Sequence, residues 1–142
     1  PEVHALVAGE CYDDWAIYQK IVDENGLAAR VHTQLDFIPA EAVRLYFSAA
    51  DLVVQPYRTA TQSGISQIAY HFEKPMIVTQ VGGLPEIVTD GVSGYVVPLE
   101  PGAIARAMGD FFENGRGEAM QAGVREEKKR FSWENLVAQL LA

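Results

Sequence analysis

Cysteine is almost absent. Cys11 stands alone in 142 residues, which excludes an intramolecular disulfide and fits a reducing cytoplasm. Histidine is sparse too. His4, His32 and His71 are scattered, and with Cys11 they show none of the spacings of a zinc site, so no metal is expected. Positive charge is also in short supply: 11 Lys and Arg stand against 19 Asp and Glu, a formal net charge of −8. Nucleic acids and anionic membrane surfaces both reward cations, so neither is expected as a partner. The one basic cluster, Arg125, Lys128, Lys129 and Arg130, is interleaved with Glu126 and Glu127 and reads as a solvated helix face. No apolar run reaches the roughly 18 residues of a membrane helix, and no signal segment opens the chain. The first residue is Pro1 rather than methionine, which reads as an excision boundary.

What remains is an ordinary globular composition, 49% hydrophobic and 21% charged, in a chain long enough for one domain with a real core. No internal repeat or low-complexity linker divides it. Short apolar runs alternate with amphipathic ones. Residues 3–8 read as a buried strand ended by Gly9, and residues 13–25 as a helix with Trp15, Tyr18 and Val22 on one face and Gly26 as its stop. Residues 29–33 form a second strand. Pro39 suits the first turn of a helix in which Val43, Tyr46, Phe47 and Ala50 share a face. Residues 51–55 are a third strand. Ser63 is a good N-cap for a helix with the stripe Ile65, Ile68, Ala69 and Phe72.

Residues 75–79 are a fourth strand, followed by a Gly82-Gly83 turn and a short helix opened by Pro85. Gly91 and Gly94 bracket a loop before a fifth strand at 95–97. Three helices close the chain: one after Pro101 with Ile104, Met108, Phe111 and Phe112; a charged one over 117–130; and one capped by Ser132 with Trp133, Leu136, Val137 and Leu140. Strands alternating with helices predict an α/β fold, a Rossmann-like parallel sheet with flanking helices that ends in C-terminal helices. Such sheets bind ligands at the carboxyl ends of their strands, which points to the loops after residues 8, 33, 55 and 79.

Two of those loops carry chemistry. Residues 55–64 (QPYRTATQSG) are polar, follow a buried strand and end at a helix start. A helix N-terminus offers unpaired N–H groups and about half a positive charge, so it suits an anion. Gly64 lets a ligand approach the backbone, and Ser63 has a hydroxyl to donate. On composition alone Ser63 serves equally as a cap, and Gly64 as a packing residue. Residues 80–86 (QVGGLPE) place Gly82 and Gly83 at a strand's carboxyl end and Glu86 in a helix's first turn, where its charge also suits the dipole. The sequence holds no Gly-x-Gly-x-x-Gly, no phosphate loop ending in Gly-Lys, and no Gly-x-Ser-x-Gly elbow around Ser63 or Ser66.

In order and spacing, these segments resemble the family 4 retaining glycosyltransferases of GT-B fold. Residues 48–64 (SAADLVVQPYRTATQSG) resemble the AAD-x-x-x-x-P strand and nucleotide loop. Residues 74–88 (KPMIVTQVGGLPEIV) resemble the KPV-I-A-T-x-x-GG-x-PE-x-V segment, and residues 90–97 (DGVSGYVV) the DG-x-x-G-x-L-V turn. Residues 7–10 (VAGE) and 37–39 (FIP) resemble the turn before the second helix of the C-terminal domain and the segment near the nucleotide base. The resemblance implies that residues 1–142 are one nucleotide-sugar-binding domain, N-terminally truncated and inactive alone. Its partner domain would supply the glycan or lipid acceptor site, and its donor would be a nucleoside-diphosphate sugar handled without metal or other cofactor. The implied donor-binding residues are Gly9, Phe37, Ile38, Thr61, Gln62, Ser63, Gly64, Ile65, Gln67, Gly82, Gly83 and Glu86. One departure stands out. The family's Glu-x7-Glu pair would fall on Ala60 and Ile68, or on Thr61 and Ala69, and neither alignment supplies a carboxylate. Gln62 and Gln67 are the nearest polar substitutes. The alternatives are a binding or assembly module without turnover and a GT-B sugar-nucleotide epimerase.

Overall fold

The computed structural model describes residues 2–61 and 63–131. The helix expected from Ser132 onward, and Gln62, lie outside the described residues. Two compact units divide the chain, residues 1–49 and 50–142.

The first unit runs β1 (Ala5–Ala8), α1 (Ala16–Glu24), β2 (Val31–Gln34), α2 (Ala40–Ala49). β1 and β2 pair in parallel, Ala5 opposite Val31 through Ala8 opposite Gln34. α1 starts three residues later than its apolar pattern suggests, because the Asp14 carboxylate accepts the Ala16 N–H (3.0 Å) and turns the chain first. α2 starts right after Pro39, whose carbonyl accepts the Ala42 N–H at 2.9 Å. Val22, Leu27, Val31 and Val43 are half-buried in this unit, whereas Leu6, Val7, Ile17, Ile21 and Leu45 are exposed, so β1 is not the buried strand that its apolar run suggests.

The second unit runs β3 (Val53–Gln55), α3 (Gly64–His71), β4 (Met76–Thr79), α4 (Leu84–Ile87), β5 (Gly94–Val97), α5 (Pro101–Glu113), α6 (Gly117–Glu127). Its strands form a parallel sheet in the order β3-β4-β5. The strands thus make two parallel sheets of two and three strands, where the alternation of elements alone suggested one. β4 is the central strand and all four of its residues are buried, which is why Met76, Ile77 and Val78 read as an apolar run. Burying Met76, Ile77 and Val78 is worth about 1.5–3 kcal/mol each. Ile77, Val97, Ala103 and Ala107 pack together with Leu52, Val54, Tyr95, Ile104 and Met108 between the sheet and α5.

α3 buries a different face from the one its large apolar residues mark. Ser66, Ala69 and Tyr70 are its buried residues, whereas Ile65 is 39% exposed. Small side chains at 66 and 69 let the helix lie close to its neighbours. The Tyr70 hydroxyl donates to the Ile87 carbonyl and meets Ser93 and Glu127. Ser93 donates to Glu127 at 2.6 Å, and Thr89 donates to its other oxygen. Burial pushes the Tyr70 phenol up to about 12. Burial also opposes the charge on Glu127, but hydrogen bonds from Ser93, Thr89 and Tyr70 outweigh it and hold that carboxyl below the usual range.

The basic cluster is not simply a solvated face. α6 stops at Glu127, a 3₁₀ turn follows (Lys128–Phe131), and Arg125 and Lys128 reach back to Glu73 at 2.6 and 2.9 Å. Glu73 follows the C-cap of α3 with φ of 56°. Its N–H bonds the Tyr70 carbonyl and the Lys74 N–H the Ala69 carbonyl, the paired closure that normally selects glycine. Hydrogen bonds from Arg125 and Lys128 lower the Glu73 carboxyl from the usual 4.5 to about 2. A lowered folded-state value means this stability is present above pH 4.5 and fades as pH falls toward 2. Glu73→Gln is therefore expected to lower the urea midpoint at pH 7, with the gap to wild type narrowing between those two values. A gap independent of pH would show that the backbone, and not the charge, sets the effect.

Candidate functional site

The three parallel strands of the second unit end on one edge, and the loops that leave it are tied together. The Thr79 hydroxyl, on a fully buried residue, donates to the Tyr57 carbonyl at 2.6 Å. The Gly83 N–H donates to the Thr61 carbonyl at 3.1 Å, and the Gln80 N–H to the Val97 carbonyl at 2.8 Å. Gly82 has φ of 53°, and a Cβ there would lie 1.5 Å from the Ala60 carbonyl oxygen. The end of β4 and the loop after it therefore meet the backbone of the β3–α3 loop at three places: Tyr57, Ala60 and Thr61.

That support presents the start of α3. Ser63 occupies the N-cap position with extended backbone (φ −128°, ψ 119°), but its side chain makes no capping hydrogen bond. The cap expected from its identity is absent, and Ser63 is itself buried. Its carbonyl accepts the Ser66 N–H at 3.2 Å, which closes the first turn. The N–H groups of Gly64 and Ile65 have no backbone partner among the described residues, as the geometry of a first turn dictates. A Cβ built on Gly64 meets no described atom within 4 Å. Nothing in the described packing requires glycine there, unlike Gly82. Gln67 is exposed one turn further along the same face. Ala69 is 0% exposed, so the alignment that would place a ribose-facing side chain at 69 puts it in the core.

Thr61, Ser63, Gly64, Ile65, Gly82 and Gly83 thus come together at one edge. Glu86 is exposed in the first turn of α4, and its carbonyl accepts from Arg130 at 3.4 Å. In the first unit, Gly9 (φ 130°) follows β1 and donates its N–H to the Gln34 carbonyl at 2.9 Å. It sits at the carboxyl edge of that sheet, beside the segment with Phe37, 70% exposed, and half-buried Ile38.

Sequence reasoning missed Thr79, Gln55 and Ser66. Thr79 and Gln55 are polar residues ending apolar strands, a visible signal for a role at the strand end. Ser66 carries none beyond its place on the helix. Among the described residues no group of three or more His, Cys, Asp or Glu is placed to hold a metal, and no helix is long and apolar enough to cross a membrane.

Comparison with known proteins follows the same lines. The family model described as glycosyl transferases group 1 matches residues 1–114. A D-inositol 3-phosphate glycosyltransferase of Mycobacterium tuberculosis is 32% identical over 130 residues, covering 87% of this chain and 26% of that protein. Sucrose-phosphate synthase of Thermosynechococcus elongatus superposes with a TM-score of 0.79 at 26% identity, over 95% of this chain and 36% of that one. The C-terminal domain of a group 1 glycosyl transferase, LpcC of Francisella tularensis, gives a TM-score of 0.80 at 19% identity, over 92% of this chain and 70% of that one. HepE of Anabaena, solved with UDP, gives 0.80 at 24% identity, over 99% of this chain and 41% of that one. The chain spans about a quarter of the length of the curated relative. Its parallel sheets flanked by helices are those of GT-B C-terminal domains, and the chain belongs to the group 1 glycosyl transferases.

Proposed function

We propose that this chain binds the donor in a retaining glycosyltransferase, which moves a hexose-type sugar from a nucleoside diphosphate to a glycan or lipid acceptor. One observation carries the reading: the N-terminus of α3 stands open at Gly64, with no described atom near its missing Cβ, on a loop clamped by its neighbour. Diphosphate oxygens accept from the Gly64 and Ile65 N–H groups, and the positive end of α3 stabilises their charge as the sugar leaves. Such stabilisation needs no metal ion. HepE was solved with UDP, which fits a nucleoside-diphosphate ligand for this fold.

Thr61, Gln62, Ser63, Ile65, Gly82, Gly83 and Glu86 complete the surroundings in this reading, and Gln67 takes the ribose. Gly9, Phe37 and Ile38 are assigned to the donor by resemblance.

A second reading, a binding module without turnover, is favoured by one specific feature: neither Ala60 nor Ile68 supplies a carboxylate. Calorimetric titration of the intact protein with UDP, ADP and GDP is expected to show binding of at least one. Diphosphate release from the matching nucleotide sugar is expected only with an acceptor present. Binding without release under any acceptor would establish the module, and release of an epimerised sugar without acceptor the epimerase. No binding of any of the three would remove the donor site.

A further inference from the structure

A buried polar pair links the first turn of α3 to the end of β3. Gln55, the last residue of β3, is 1% exposed, and Ser66, the third residue of α3, is 0% exposed. The Ser66 hydroxyl donates to the Gln55 side-chain oxygen at 3.1 Å, and the Gln55 amide nitrogen contacts the Met76 sulfur at 3.5 Å. Burying these groups costs desolvation, and the return is modest: one neutral hydrogen bond and one contact to a thioether, a weak acceptor. An apolar pair of equal volume would fill the space as well. What it would not supply is direction. Apolar contacts tolerate rotation of a helix about its axis, whereas a hydrogen bond fixes it.

The same face of α3 carries a second polar anchor one turn on, where the Tyr70 hydroxyl donates to the Ile87 carbonyl. Two directional contacts at i and i+4 therefore hold a helix of eight residues to the end of β3 and the end of α4. The one at Ser66 lies within the turn whose Gly64 and Ile65 N–H groups have no backbone partner among the described residues.

We propose that Gln55 and Ser66 are positioning residues for the diphosphate: their buried hydrogen bond sets the rotation of α3 and so the aim of its N-terminal N–H groups. The inference rests on the donor reading above and adds to it. Neither residue touches the ligand. Both act through the helix, and rotation of one residue about its axis turns the N–H groups by about 100°.

The test is the double variant Gln55→Met/Ser66→Ala in the intact protein. It removes donor and acceptor together and keeps the volume at 55, so the fold is expected to hold and the thermal midpoint to move by only a few degrees. The probes are whichever of UDP, ADP or GDP the wild type binds, and the matching monophosphate. Affinity for the diphosphate is expected to fall about tenfold while that for the monophosphate changes less than twofold. A purely structural role would lower the melting point without separating the two ligands. An unchanged diphosphate affinity, or an equal loss for both nucleotides, overturns the proposal and leaves the donor site standing. A wild type that binds none of the three removes the donor site, and this proposal with it. Should the double variant not fold, Gln55→Met alone carries the same comparison with the same outcomes.

Discussion

Gly64→Val is expected to fold as the wild type does and to lose nucleoside-diphosphate binding, with affinity down by at least a hundredfold. Both halves follow from the surroundings of one atom. A Cβ at Gly64 meets no described neighbour within 4 Å, and the backbone there lies outside the left-handed region, so a side chain is accommodated by the protein itself. If the donor diphosphate sits against the Gly64 and Ile65 N–H groups, the space that the protein leaves open is the space the phosphate fills. Two methyl groups on a Cβ at that point then exclude it. Gly64→Ala grades the effect: it adds one carbon, weakens binding less, and raises helix stability by up to about 1 kcal/mol. Circular dichroism and thermal melts report the fold, and calorimetric titration with the diphosphate reports the site. A well-folded Gly64→Val variant with undiminished affinity would take the α3 N-terminus out of the donor site.

Much of this site was legible because strand ends in a parallel α/β sheet are where ligands bind, and strands buried on both faces show themselves as apolar runs. Residues 75–79 and 51–55 were read within one or two residues of β4 (Met76–Thr79) and β3 (Val53–Gln55). The buried face of α3 was not legible. Periodicity weighs large apolar residues, and so it selected Ile65, Ile68 and Phe72 beside Ala69. The helix instead buries Ser66, Ala69 and Tyr70. Small residues permit close approach, and the Tyr70 hydroxyl has partners 17 and 57 positions away, which local pattern does not register.

Distance along the chain hid the pairing of Arg125 and Lys128 with Glu73 in the same way, at separations of 52 and 55 residues. Glu73 adds a second reason. The turn closing α3 normally advertises itself with glycine, and here a glutamate takes the left-handed position while its carboxylate is held by two cations. The Gly82-Gly83 turn was legible as a turn, but its contact with Ala60 was not, since that is a property of two loops and not of either alone.

That contact sets the second large effect. Gly82→Ala is expected to destabilise the protein by about 2–4 kcal/mol, the sum of left-handed strain and a backbone clash, and to lower diphosphate affinity more than a hundredfold. The added Cβ would lie 1.5 Å from the Ala60 carbonyl oxygen and 2.6 Å from its carbon. Both are main-chain atoms, so no rotamer change relieves the overlap, and one loop must move. The loop that moves carries either the Gly83 N–H bonded to the Thr61 carbonyl or the Thr61 carbonyl itself, so the tie that holds the approach to α3 is lost with it. Gly91→Ala separates the two causes. Gly91 also has a left-handed φ, 75°, but no described atom lies within 4 Å of its Cβ position. It is expected to cost about 1–2 kcal/mol from backbone strain alone and to keep wild-type affinity. Urea unfolding and nucleotide titration of the two variants make the comparison. Equal stability losses, or full affinity in Gly82→Ala, would show that the β4–α4 loop does not hold the donor loop in place.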